Sequence, residues 1–203
     1  LVDLAVGSDT AGSLRIPAQC SGVASWKPGF GLLSLEGVMP LAPSLDCLGF
    51  MARDTALLER VAALFAQDMP DFSGVAVARD LLAGCAPEIA ALFTRTIGLV
   101  DALNLKTRDV AVQPLLAQAD APVFALLQGE AYRSFATLFD KGCLPPDLAK
   151  RLHKGGSVSD ADLVQARGVL AALEREWSDR LFASRDCLLL PVMPVTTPTV
   201  TAC

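Results

Sequence analysis

The chain has 203 residues, 52% of them hydrophobic and 19% charged, with a net charge of −5 at pH 7. That length and apolarity suffice for one sizeable core, and the acidic balance, with no basic stripe interleaved with aromatics, argues against direct binding of nucleic acid. The longest uncharged stretch, 187–203, is interrupted by Pro191, Pro194 and Pro198 and holds no bilayer-spanning helical pattern.

In chain order, residues 1–6 read as a buried strand that runs straight into a turn of small residues. Residues 13–20 suit a short helix, limited by Pro17. Gly29, Gly31, Gly37, Pro40 and Pro43 then mark an irregular stretch to about Gly49. A helix is predicted from Asp54, which with Thr55 is a candidate cap, and Leu57, Leu58, Val61, Leu64 and Phe65 share one of its faces. Residues 66–74 are polar and read as a linker.

Residues 75–78 read as a strand and 87–103 as a helix with Ile89, Leu92, Phe93, Ile97 and Val100 at helical spacing. Residues 109–113 alternate as a strand, so the three together predict a βαβ unit. A further amphipathic helix is expected over 122–139, broken by 141–146. The longest helix is expected from Ser159 to about Arg185, with Ser159 and Asp162 as its start signal and Leu163, Leu170, Leu173, Trp177 and Leu181 facing inward. Residues 188–192 form the last predicted strand. The class is α/β and the organisation one domain over 1–203: a core segment over 1–65, the linker 66–74, and a helical and βαβ segment over 75–203. Both ends fall in or beside apolar segments, which predicts an internal piece of a longer protein.

The six cysteines (Cys20, Cys47, Cys85, Cys143, Cys187 and Cys203) form no C-x-x-C pair. They read as reduced thiols, and the expected location is cytoplasmic. The one histidine, His153, lies in the cationic run 150–154 and reads as a solvated surface residue. With no H-E-x-x-H, G-x-S-x-G, G-x-x-x-x-G-K-[ST] or G-x-G-x-x-G segment, the usual signals for a metal site, a nucleophile elbow and phosphate or dinucleotide binding are missing. Trp26 and Trp177 read as core, and Glu130 by default as a residue of a solvated helix face, with contact to a substrate left open.

The densest chemistry lies in 7–17, Gly-Ser-Asp-Thr-Ala-Gly-Ser-Leu-Arg-Ile-Pro. Small side chains let a substrate approach the main chain, and consecutive N–H groups in such a turn can converge on one negative oxygen. A hydroxyl beside them, that of Ser13, completes the minimum apparatus for acyl transfer, although taken by itself the same residue also reads as a helix cap in a glycine-rich turn.

This run resembles the serine motif of the amidase signature family, G-[ST]-D-[TS]-[GA]-G-S-[IGL]-R-x-P. Downstream, Gly22, Lys27-Pro28, Gly31, Gly37, Pro40, Ser44-Leu45-Asp46, Gly49 and Met51-Ala52-Arg53 fall where that family has matching residues. The late Leu188-Leu189-Leu190-Pro191-Val192-Met193-Pro194 looks like its L-L-x-P-x-x-P strand. The resemblance implies a mixed central β-sheet covered by helices on both faces, here incomplete at both ends. It implies hydrolysis of a carboxamide carbon–nitrogen bond to acid and ammonia, through an acyl-enzyme on Ser13.

By the same resemblance, the main-chain N–H groups of Thr10, Ala11, Gly12 and Ser13 form the oxyanion hole, and Asp9 and Arg15 hold the serine loop. The lysine and bridging cis-serine of the family's triad match nothing here. Lys27 belongs to the downstream Lys-Pro pair, so the fragment by itself is expected to be inactive. No metal or organic cofactor is implied. The implied partner is a small-molecule amide, with no membrane role and with homo-oligomerisation left open. Ala11 stands where many relatives have Gly, which is harmless if its φ is negative. For Ser44-Leu45-Asp46, a turn in which Asp46 bonds nearby backbone and a substrate role both stay open. Two other readings remain: the glutaminase subunit of a tRNA-dependent amidotransferase, and a non-catalytic binding module on the same fold.

Overall fold

The computed structural model describes residues 2–65, 72, 74–182 and 186–199. Among the described residues, six strands fall into two three-stranded sheets. In the first, β1 (Leu4–Asp9) and β2 (Ala24–Trp26) flank β3 (Cys47–Ala52), all antiparallel. In the second, β5 (Lys106–Asp109) and β6 (Asp186–Leu189) flank β4 (Gly74–Val77), all parallel. The helices are α1 (Arg15–Ser21), α2 (Thr55–Ala62), α3 (Pro87–Ala102), α4 (Gln113–Asp140), α5 (Pro146–His153) and α6 (Asp160–Trp177). The α/β class is as expected, and β4, α3 and β5 form the anticipated βαβ unit, with Val75 and Val77 packed on Phe93 and Ile97.

The first sheet positions the serine motif, and much of it escapes prediction from the sequence. β1 starts later than expected and continues through Gly7 and Ser8 to Asp9, because β3 pairs with it from Leu4↔Ala52 to Asp9↔Cys47. The supposedly irregular stretch before Gly49 contains the start of β3, and the short β2 has no signal in the sequence pattern. Gly7 and Gly49 face one another across the ladder. A methyl at Gly49 would meet Leu14 Cδ2 at 2.5 Å and the Trp26 carbonyl at 2.6 Å, and one at Gly7 would meet Leu14 Cδ1 at 2.8 Å. The paired glycines leave a slot for Leu14, only 1% exposed, and so seat the turn before α1 against the sheet. Pro17 does not break α1, because it lies in the first turn, where its missing N–H has no helical acceptor to lose. Trp26 stacks on Phe50 in the core beneath, with ring centroids 6.0 Å apart.

Other differences have local causes. The expected strand 109–113 is displaced to Lys106–Asp109, an exposed edge strand whose charged residues carry no apolar alternation. Val110 only extends its ladder, donating from its N–H to the Val77 carbonyl at 3.0 Å. α4 begins at Gln113 rather than 122, because Asp80 Oδ2 accepts from the Val112 and Gln113 N–H groups at 2.7 Å each. Pro122 is therefore interior to α4, at the loss of one backbone hydrogen bond. α2 has its Asp54 cap as expected but ends at Ala62, leaving Leu64 exposed. Leu92 is likewise exposed on α3, while Phe93 and Ile97 are buried.

α5 lies in a stretch where the sequence pattern predicts no helix. α6 has the Ser159–Asp162 capping box, with Leu163 and Leu173 buried, and gives way to a π turn at Ser178–Phe182. Residues 183–185 of the predicted long helix, and 66–71 and 73 of the predicted linker, lie outside the described residues. Gly74 already belongs to β4.

Gly49→Ala should destabilise the protein by about 1–3 kcal/mol through overpacking against Leu14 and the Trp26 carbonyl. Denaturant unfolding at neutral pH checks this, and Gly84→Ala, with nothing near its added methyl, is the control that should stay near wild type.

Candidate active site

Asp9 ends β1 with no exposed surface. Its Oδ1 accepts from the Gly12 N–H at 2.8 Å and from Arg15 Nη2 at 2.9 Å; its Oδ2 accepts from Arg15 Nε at 2.8 Å and the Arg15 N–H at 3.3 Å. Burial by itself would raise the carboxyl pKa. The Arg15 and Gly12 hydrogen bonds and the Arg15 charge outweigh it and bring the group down to about 2. Asp9 therefore both caps the turn and pairs with Arg15, two roles between which the sequence does not decide.

The turn between Asp9 and α1 has one position that demands glycine. Gly12 has φ +114°, and a methyl there would also meet Ile16 Cδ1 at 2.8 Å. Ala11 has no such problem: Asn104 is the non-glycine residue with positive φ among those described. Ser13 is exposed, and its hydroxyl has no hydrogen-bond partner among the described residues. The Ala11 and Ser13 N–H groups likewise have no acceptor among them. The Gly12 N–H, one of the four amides expected in the oxyanion hole, is engaged by Asp9.

Thr10 is tied elsewhere. Its hydroxyl donates to Asp46 Oδ1 at 2.5 Å, while Asp46 Oδ2 accepts from the Leu41 and Ala42 N–H groups at 2.9 and 3.1 Å. Asp46 is 5% exposed, so the backbone-bonding turn anticipated for Ser44-Leu45-Asp46 exists and is joined to the serine motif. Ser44 leads to a residue whose setting differs from expectation. Glu130, expected on a solvated face, is buried between the Ser44 loop and α6. It accepts from the Ser44 N–H at 2.9 Å, the Ser44 hydroxyl at 2.6 Å and Arg167 Nη2 at 2.8 Å. The signal for this is its place on the same α4 stripe as the buried Leu126, one turn away.

A cleft of about 540 Å³ lies beside the motif, bounded by Ala11, Gly12, Arg15, Ser25, Leu190 and Val192 among others. Leu190 and Val192 of the late segment thus line the same cleft as Ala11 and Gly12 of the serine turn. His153 is exposed, its ring centroid 6.2 Å from that of Phe139. Among the described residues no His, Cys, Asp and Glu cluster could hold a metal, no helix is long and apolar enough to cross a membrane, and the five described cysteines are free thiols. Cys203 lies outside the described residues.

A family model described as amidase matches residues 1–202. The chain is 45% identical over 67 residues to Amidase 1 of Arabidopsis thaliana, covering 33% of this chain and 16% of that protein. It is 34% identical over 134 residues to a mitochondrial glutamyl-tRNA(Gln) amidotransferase subunit from Pyricularia oryzae, covering 63% of this chain and 26% of that protein. A crystal structure of an amidase superposes with a TM-score of 0.86 at 29% identity, over 97% of this chain and 46% of that one. A 6-aminohexanoate cyclic dimer hydrolase with bound substrate, at 18% identity and a TM-score of 0.78, shares the fold. The chain spans at most 26% of these curated relatives and just under half of the solved amidase.

Asp9→Asn should cost about 2 kcal/mol or more of stability at pH 7, by weakening hydrogen bonds to a buried charge. Because the folded pKa lies below the ordinary carboxylate value, Asp9 contributes its full stability above about pH 4 and loses it as pH falls towards 2. The stability difference between wild type and Asp9→Asn in denaturant unfolding should therefore narrow over that window.

Proposed function

This chain belongs to the amidase family, and on that premise we propose that the intact protein hydrolyses the carbon–nitrogen bond of a small linear carboxamide, with Ser13 as its nucleophile. The observation that carries the reading is the state of the serine turn. The Ser13 hydroxyl is exposed and unbonded among the described residues, its neighbours Ala11 and Gly12 line a cleft, and the backbone around it is pinned by Asp9, Arg15 and Asp46.

Ser13 Oγ attacks the amide carbonyl carbon and forms a tetrahedral intermediate. The oxygen that gains the charge is stabilised by the free amides of the turn, Ala11 and Ser13 foremost. Each such donor contributes roughly a hundredfold or more in rate. The Ser13 proton leaves to a base and is returned to the departing nitrogen, so ammonia or an amine leaves neutral. Water then attacks the Ser13 ester and releases the acid. A serine hydroxyl needs a base near neutral pH. The family resemblance implies a lysine reached through a bridging serine, neither of which matches a residue of this chain, and on this reading the chain by itself is expected to be inactive. A cytoplasmic setting suits the free thiols.

A second reading keeps the chemistry and changes the destination of the ammonia. The similarity to the amidotransferase chain extends over 63% of this one, and on this reading the ammonia passes to a partner protein. Stable copurification with other chains supports it; release of free ammonia by the isolated protein supports the stand-alone hydrolase.

In the intact protein, Ser13→Ala should lower ammonia release from its preferred carboxamide about 10⁴-fold or more, and should abolish labelling by a fluorophosphonate. The fold should survive, because an exposed residue without hydrogen-bond partners changes stability by about 0.5 kcal/mol or less. Undiminished turnover in a folded Ser13→Ala protein overturns the reading.

A further inference from the structure

Beyond the serine turn itself, we infer that Glu130 is a positioning residue for that turn, acting through the 41–46 loop without touching substrate. The inference rests on the reading of Ser13 as nucleophile.

Glu130 sits on the packed stripe of α4, where a carboxylate stays charged only if its oxygens are answered. Burial opposes the charge, but the Ser44 and Arg167 bonds outweigh it and hold the pKa below its ordinary value. The two arms differ in kind. Arg167 is half exposed and approaches from α6. Ser44 donates from both its N–H and its hydroxyl, one to each oxygen. That bidentate grip fixes the loop in position and orientation.

The loop is stiff from there to the motif. The Leu45 and Asp46 N–H groups both donate to the Ala42 carbonyl, at 2.8 and 2.9 Å, so Ser44 lies inside a closed turn. Ala42 has no exposed surface, and its N–H returns to Asp46 Oδ2 at 3.1 Å. The other Asp46 oxygen holds the Thr10 hydroxyl. A displacement of Ser44 is therefore carried to Asp46 and on to Thr10, which lies in the same turn as the amides that face the substrate. If Glu130 only fastened the helices, its two arms would matter alike. As a positioning residue, its Ser44 arm governs the turn and its Arg167 arm only stability.

The test uses the intact protein and the variants Glu130→Gln, Ser44→Ala, Arg167→Gln and the Glu130→Gln/Ser44→Ala double. It reads thermal unfolding, kcat and KM for ammonia release, and hydrogen exchange at the bonded Gly12 and Arg15 amides. Glu130→Gln and Ser44→Ala should each lower kcat about tenfold, with KM within about twofold, since the loss falls on transition-state stabilisation. Both should speed exchange at Gly12 and Arg15 about tenfold. Arg167→Gln should lower the Tm yet leave kcat and that exchange near wild type. The double variant should be no worse than the worse single, because the two changes break one contact. Unchanged exchange at Gly12 and Arg15 in folded Ser44→Ala, or additive losses in the double variant, overturns the proposal. Should Glu130→Gln fail to fold, Ser44→Ala and Arg167→Gln carry the comparison. If the wild-type protein releases no ammonia, the reading of Ser13 falls, and the exchange measurement still decides the role of Glu130.

Discussion

A carboxylate with no exposed surface loses its water, and a charge in that position is tolerated only when protein donors replace the water completely. Asp9 meets that condition with four hydrogen bonds, two from the Arg15 guanidinium and two from backbone amides. All four donors come from the residues that follow it. The chain leaving β1 therefore has to fold back over its own last residue, and that reversal is the serine turn. The turn's shape is thus set by an electrostatic requirement one residue before it begins. Gly12 takes the φ of +114° that the reversal needs, and Leu14 fills the slot between Gly7 and Gly49 that seats it on the sheet.

Two further buried carboxylates extend the same logic outward. Asp46 ties the turn to the loop at 41–46, and Glu130 ties that loop to α4 and α6. In each case the donors include backbone N–H groups that no strand or helix satisfies. These carboxylates do for an irregular loop what a ladder does for a strand: they give its amides fixed partners. An irregular segment next to the serine can in this way be as well ordered as the sheet beneath it.

The features legible in the sequence are those whose signal is local. The serine motif, the Asp54 cap and the Ser159–Asp162 box are short-range hydrogen-bond patterns, and each residue type announces its own partner a few positions away. The features not legible depend on distant chain. β3 is recognisable only once β1 lies beside it. β5 is a charged edge that owes its strand geometry to β4. The start of α4 is set by Asp80, a residue 33 positions before Gln113. Glu130 escapes a reading of the sequence because a charged residue on an amphipathic helix is ordinarily solvated. Only the approach of Ser44 and Arg167 makes burial tolerable, and neither is near it in the sequence. The Gly12 amide escapes for the opposite reason: the motif shows which amides are close, and not which one Asp9 has already engaged.

That division of amides bears on how such a turn can hold its shape and still keep donors free. Were every N–H of the turn bound internally, the loop would be rigid and useless to a developing oxyanion. Were none bound, the donors would have to be ordered at the moment of reaction, and the entropy of ordering them would subtract from catalysis. Here the Gly12 and Arg15 N–H groups are held by Asp9, while those of Ala11 and Ser13 are left without an acceptor among the described residues. The bound amides fix the directions of the unbound ones. The bonded and the unbonded amides are neighbours on the same few peptides, so a substitution that loosens Asp9 disturbs the direction of the unbonded ones without touching them.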